Sequence, residues 1–354
     1  VPFVKEGKTV FDVEFSVGNN DVAFRYNLHR AGEPRCCVVE SEATGFRMAD
    51  GTTTFLCPQS GAMGGFARTT PSYETPYTVD DAMGKNGFGD GYSFPCLFRN
   101  GDKGWVLISE TGVDSYYCAS RLMGAADGLY TIGFPQQAEF NGNGTAAPGV
   151  TLPGRTPWRT VTVGATLAPI METTVPFDVV ERRYEHGCGT WSWIIAGDGS
   201  MNYDEQRRYI DFCADMGYRT VLVDALWDTQ VGYDRVEELA AYAASKGVGL
   251  YLWYNSNGYW NDAPQGPRGK MDNIIERRKE MRWMQSIGIK GIKVDFFGSD
   301  KQMAMQLYES ILADANDFGL LVIFHGCTLP RGLEGMYPNY VGSEAVLASE
   351  NLVF

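Results

Sequence analysis

The chain has 354 residues, enough for two domains and a large core, and carries a net charge of −13. That charge repels nucleic-acid phosphates, and no apolar run is long enough to cross a bilayer, so neither nucleic acid nor a membrane span is expected. A neutral ligand such as a sugar is left open. The eight cysteines are scattered without a CxxC pair and read as buried free thiols, while His29, His186 and His325 lie too far apart for a multi-histidine metal site.

The first half reads as β structure. Segments Thr9–Val17, Asp21–Arg30, Gly104–Glu110 and Thr160–Leu167 are short, rich in β-branched and aromatic residues, and separated by Gly/Asn turn clusters. Convincing amphipathic helices are absent before about Tyr203. An antiparallel β-sandwich over residues 1–175 fits best.

From residue 176 onward the texture changes to apolar strands alternating with helices: Gly189–Ile194, Thr220–Ala225, Gly249–Asn255, Gly291–Phe297, Leu320–His325 and Asn339–Glu344. Their starts fall roughly 30 to 40 residues apart, the spacing of βαβ units. Asp234, Asp272 and Asp300 are the expected helix N-caps, with Gly247, Gly288 and Gly319 as stops. Six units at most precede Phe354, whereas a (β/α)8 (TIM) barrel needs eight. Either the sheet is open and doubly wound or the barrel is cut short of its last units; of the two, an incomplete catalytic barrel over residues 176–354 is the expectation.

Polar residues recur at one end of these strands: Asp224, Asn255, Asp295, His325 and Glu344. The carboxyl ends of parallel strands form the active-site rim, and helix caps are already assigned to other aspartates. Trp191, Trp193, Trp227, Trp253 and Trp260 crowd the same rim. Indole faces stack on sugar C–H faces, although any single one of these tryptophans has core packing as its alternative. Lys293 and Asp295 are two residues apart on one strand and share a face, so the lysine is expected to keep the aspartate ionised, as a nucleophile requires. The alternative is a structural ion pair. No GxGxxG, P-loop or GxSxG motif occurs, and Asp198–Asn202 fails as a calcium loop because Tyr203 stands where its glycine belongs.

The runs Thr220–Ala225, Gly291–Phe297, Phe324–Gly332 and Tyr337–Val346 resemble glycoside hydrolase family 97. The resemblance covers nearly the whole chain. It implies an N-terminal β-sandwich, a catalytic barrel and a C-terminal β domain, of which this chain would lack the last barrel units and the final domain. It also implies a periplasmic or secreted location. Inverting α-glucosidases of the family carry a glutamate directly after the histidine that matches His325 and lack the aspartate on the fourth strand. Gly326 and Asp295 match the other branch, similar to retaining α-galactosidases.

By that resemblance Asp295 is the nucleophile and Glu350 the general acid/base of an exo-acting enzyme cleaving terminal α-galactosides. Glu74, Glu344 and Glu350 match ligands of a calcium ion, with Glu350 expected to be an indirect or distant one, because direct contact would lower the acid's pKa. Asp224, Lys293, Asn255, Trp253, Trp191 and His325 are the candidates for binding the substrate, an oligosaccharide or other glycoside. A catalytically inert sugar-binding protein on the same fold and an inverting α-glucosidase are the rival readings.

Overall fold

The computed structural model describes residues 1–124, 126–173, 184–256 and 258–352. The expected boundary at 175/176 and the final Val353 and Phe354 lie outside the described residues.

The N-terminal strands were expected to form two sheets. They instead form one twelve-stranded antiparallel network, with a separate ribbon of Cys36–Val38 and Gly149–Thr151. That network folds back on itself. Strands Asp21–Leu28 and Gly45–Arg47 are six strand spacings apart in the sheet order, roughly 29 Å if flat. Yet the rings of Phe24 and Phe46 lie 6.4 Å apart, and the hydroxyls of Tyr26 and Thr44 are 2.8 Å apart. The fold encloses Leu56, Phe94, Phe98, Ile108, Leu122 and Tyr130.

The second half holds a six-stranded parallel sheet in strict chain order: β1 (Gly189–Trp191), β2 (Thr220–Val223), β3 (Gly249–Asn255), β4 (Gly291–Asp295), β5 (Leu321–His325) and β6 (Tyr340–Glu344). Helices α1 (Tyr203–Asp215), α2 (Tyr233–Ser245), α3 (Ile274–Ile287) and α4 (Gln302–Asp317) alternate with them. Between β5 and β6 the pattern breaks, leaving only the helical turn Leu333–Met336. Side-chain alternation divides each strand between two environments. On β4, Ile292 and Val294 join the core formed with helix residues such as Ile210, Leu239, Met284 and Ile311, while Lys293 and Asp295 face the other way.

This sheet is curled. Lys293 on β4 places its Nζ 4.0 Å from the ring centroid of Trp191 on β1, a contact across three strand spacings that a flat sheet would hold roughly 14 Å apart. A closed eight-stranded barrel is not present among the described residues, where β1 pairs only with β2 and β6 only with β5.

None of the three expected aspartate caps is used as one. Gly232 and Asn273 cap α2 and α3, the latter accepting from the amides of Ile275 and Glu276, so Asp234 falls inside the first turn and Asp272 before the cap. Lys301 precedes α4, because Asp300 is drawn into an ion network between the two halves of the chain. There Arg121 pairs with Glu139 at 2.5 Å, Arg331 with Glu110, and Arg159 with Glu110 and Glu42; the hydroxyl of Tyr73 donates to Asp300. All of these side chains are buried. All eight cysteines are free, but Cys36 and Cys188 are exposed, contrary to expectation.

Removing one partner from such a network leaves uncompensated buried charge. Glu110→Ala strips a carboxylate shared by Arg159 and Arg331 and is expected to cost about 3 kcal/mol, read from the shift of the urea unfolding midpoint. An unchanged midpoint would show that the network adds nothing to stability.

Candidate active site

The concave face of the curled sheet opens into a cavity of about 720 Å3, within the range of small-ligand sites. Trp191 from β1, Asp224 just beyond β2, Trp253 from β3, Lys293 and Asp295 from β4, and His325 from β5 all line it, joined by Glu350 from the turn Ser349–Leu352. The N-terminal half contributes Phe66, Thr69, Ser72 and Glu74.

His325 is the hub. Its Nδ1 lies 3.0 Å from Asp295 Oδ1, and its Nε2 lies 3.1 Å from Glu350, 3.2 Å from Glu344 and 3.5 Å from Glu74. Asp295 and Glu350 therefore stand on opposite nitrogens of one imidazole ring. Burial alone would raise the Asp295 carboxyl, but the charge and hydrogen bond of His325, the charge of Lys293 and the indole N–H of Trp253 (3.1 Å from Oδ2) outweigh it. Asp295 is held below the ordinary aspartate range. The lysine's own hydrogen bond runs to Asp224, at 3.3 Å, and after burial the strongest influence on Asp295, and the strongest that keeps it ionised, is the histidine, with the expected Lys293 behind it.

The amide of Phe296 also donates to Asp295 Oδ1, at 2.7 Å. Asp224 is gripped in a similar way, accepting from the Trp191 indole at 2.7 Å and from the Ala225 amide at 2.7 Å. Lys293, despite burial that would lower it, stays above the usual lysine value because Asp224, Asp295 and the two glutamates beyond face it. Burial pushes the Asp224 carboxyl upward, and Lys293, the Ala225 amide and Trp191 offset that only in part.

Around His325 Nε2, three carboxylates converge on a buried nitrogen that has no well-aligned hydrogen bond. Glu74 sits in a site so desolvated that its pKa is pushed up to about 7, further raised by Asp295 and Glu350 although His325 opposes this. Glu74, His325 and Glu350 bring ligand atoms within 4.8 Å of one another. Glu350 belongs to this cluster, 3.1 Å from His325 Nε2. Carboxylate oxygens in this number suit a hard divalent cation; the imidazole nitrogen is the one donor such a cation does not favour.

Asn255 does not line the cavity. It is fully buried, tied to Asn261 and to the carbonyl of Gln265, and so organises the loop that brings Gln265 to the rim. Trp227 and Trp260 are core residues as well; the first donates to the Trp253 carbonyl and the second stacks on Phe140 at 3.9 Å. Trp193 does line the cavity, stacked 5.5 Å from Trp191 and donating to Asp198, a lining residue that sequence reasoning had set aside with the failed calcium loop. Phe66, Thr69 and Phe296 were missed too, since an aromatic or threonine in a loop carries no periodic signal.

Two family models match this chain: "Glycosyl-hydrolase 97 N-terminal" over residues 1–181 and "Glycoside hydrolase 97" over residues 184–346. The chain belongs to glycoside hydrolase family 97. Similar curated proteins include a probable retaining α-galactosidase of Streptomyces bingchenggensis, 26% identical over 99% of this chain and 52% of that protein. A retaining α-galactosidase of Bacteroides thetaiotaomicron is 24% identical over 98% and 55%. Among solved structures, a β-arabinopyranosidase is 60% identical with a TM-score of 0.93, covering 97% of this chain and 56% of that one. A family 97 enzyme of Pseudoalteromonas sp. strain K8, solved with panose, shares the fold at a TM-score of 0.73 and 18% identity over 95% and 55%. The chain spans about half the length of these relatives.

Within this family site Gly326 is sterically compelled. Its φ is +49°, and a Cβ there would stand 2.9 Å from Asp295 Oδ1 and 3.1 Å from the Phe296 nitrogen. A side chain after His325 crowds the aspartate at the end of β4, and one of the two must shift. Gly326→Ala is expected to cost about 1–3 kcal/mol of stability, measured by thermal unfolding, with the Asp295–His325 pair displaced. A variant as stable as the parent would mean the turn relaxes freely.

Proposed function

We propose that this chain carries the catalytic acids of a retaining, exo-acting glycoside hydrolase for terminal sugars with the α-galacto ring configuration. The observation that carries this reading is the ionised Asp295 at the cavity floor, facing Glu350 across the His325 imidazole. Family membership and the relatives' names support it. α-Galactosidase and β-arabinopyranosidase are chemically close: in the L series, a β-arabinopyranoside has the ring stereochemistry of an α-D-galactopyranoside and lacks only the exocyclic CH2OH. With the 60% identical relative named for the pentoside, both substrates belong in the first test.

In the proposed double displacement, Asp295 attacks the anomeric carbon while Glu350 gives its proton to the departing oxygen, breaking the glycosidic bond. Glu350 then takes a proton from water, which attacks the glycosyl ester and frees Asp295 with the anomeric configuration retained. His325, Trp253 and the Phe296 amide keep Asp295 ionised and aimed. Lys293 and Asp224 offer a buried donor and acceptor to sugar hydroxyls, and Trp191 fixes Asp224 in place. Glu74 and Glu344 would hold a calcium ion, with Glu350, the proton donor, beside it as an indirect or distant ligand. Such an ion would supply positive charge where three carboxylates and an imidazole nitrogen otherwise face one another.

Asp295→Ala is expected to lower turnover of an aryl α-galactoside or aryl β-L-arabinopyranoside by 10³-fold or so, with azide restoring part of it as the glycosyl azide of inverted configuration. Unchanged turnover would remove Asp295 from the mechanism. With the unmodified protein, NMR of the first-formed sugar should show the anomer of the substrate. An inverted first product would point instead to direct attack by water, and binding of galactose without phenol release would make the protein an inert sugar binder.

A further inference from the structure

Glu74 is the one acid of the cluster that comes from the N-terminal half of the chain, and its neighbour Tyr73 ties its segment to the strand ends of the other half. Tyr73 is 3% exposed and holds a φ of +63°, a left-handed conformation that costs a bulky residue about 1–3 kcal/mol unless its surroundings enforce it. The enforcement is at the far end of the side chain. The Tyr73 hydroxyl donates to Asp300 and accepts from Arg331 Nη2 at 3.1 Å. Asp300 follows β4 and Arg331 follows β5, the strands that carry Asp295 and His325. Arg331 is fixed in turn by Glu110 and by the Ser120 carbonyl at 2.8 Å, and the Asp300 amide by Glu139 at 2.8 Å.

We propose that Tyr73 is a positioning residue: its clamped hydroxyl holds the strained backbone that aims Glu74 at His325 Nε2, so the acid cluster is complete only when the folded sheet is docked on the strand ends. The Glu74 carboxylate itself accepts a hydrogen bond from Ser72 Oγ at 3.0 Å. Without the hydroxyl, the segment is free to leave the left-handed region, and Glu74 turns with it. Tyr73→Phe keeps the buried ring, while Asp300 and Arg331 keep each other at 3.8 Å and Asp300 keeps Arg121 at 3.6 Å, so the fold is retained.

The inference rests on the proposed cation site, and its test separates the two. Calcium is titrated calorimetrically into metal-free protein for the parent, Tyr73→Phe, Glu74→Gln and the double variant. Loss of an outer-shell partner weakens metal binding about 10- to 100-fold. Tyr73→Phe is expected to fall in that range, and the double variant is expected to bind no more weakly than Glu74→Gln, because both changes act through one carboxylate. Parent-like affinity in Tyr73→Phe, or fully additive losses, overturns the role of Tyr73; a lowered thermal midpoint with unchanged affinity does the same by showing a purely structural residue. A parent that binds no calcium overturns the cation site alone. The same cycle is then read in aryl-glycoside turnover, where a fall in kcat with steady KM and no additivity supports Tyr73, and additive or absent effects reject it.

Discussion

Four carboxyl groups converge on the imidazole of His325, and the rest of the site follows from how that convergence is arranged. Unscreened, four carboxylates so close, two of them buried, would repel strongly and raise one another's pKa. The fold separates them by role. Pairing of β4 with β5 brings Asp295 to Nδ1, and the in-register pairing of His325 with Glu344 on β6 brings that glutamate to Nε2. If Nδ1 carries the proton that Asp295 accepts, Nε2 presents a lone pair to three carboxylates. That arrangement is relieved by a proton on one of the carboxyls, by a second ring proton or by a bound cation. Burial disfavours the imidazolium, yet Asp295 and Glu344 drive the His325 pKa well above its ordinary value, so the protein makes a strong demand for charge at this point.

The demand extends outward to the contact between the two halves. The network of Arg121, Arg159 and Arg331 with Glu42, Glu110, Glu139 and Asp300 is almost wholly dehydrated. Replacing such a network by packed hydrocarbon is often neutral or favourable for stability, so its presence is better understood as a device for register. Apolar surfaces can slide by an ångström at little cost, whereas a carboxylate shared by two guanidiniums has one acceptable position. A site that needs Glu74 from one half and His325 from the other within 3.5 Å requires that kind of fixity.

Strands were the most legible part of the sequence, and β3 was bounded correctly at both ends. Hydrophobic alternation and the repeated polar residue at the strand ends are local signals, and they located Asp224, Asp295 and His325 on one rim. What failed was whatever depended on competition between partners. Asp300 has the sequence context of a helix cap, but two arginines and a tyrosine distant in sequence decide its fate. Asn255 occupies a rim position by count and is turned into the protein by Asn261. Trp227 and Trp260 share the composition of a sugar platform, and only their packing against Trp283 and Phe140 shows them to be core. The single folded-back sheet was illegible for the same reason, since hydrogen-bond partners between strands are chosen by tertiary context rather than by propensity.

Backbone strain was also hidden from the sequence, and it bears directly on the chemistry. The chain leaves β2, β4 and β5 through left-handed residues, Leu226, Phe296 and Gly326. Gly326 adopts that conformation freely, whereas Leu226 and Phe296 do so at a cost of about 1–3 kcal/mol each. At β4 the consequence is visible. The turn at Phe296 aims its amide back at Asp295 and places its ring edge-on to Trp253, at 5.5 Å, so that the same kink supplies a hydrogen bond to the carboxylate and a wall to the cavity. A glycine at 296 would relieve the strain and lose the wall; a side chain at 326 would meet Asp295. The two positions therefore bear opposite requirements although they stand at equivalent places on neighbouring strands, and the carboxylate between them fixes both.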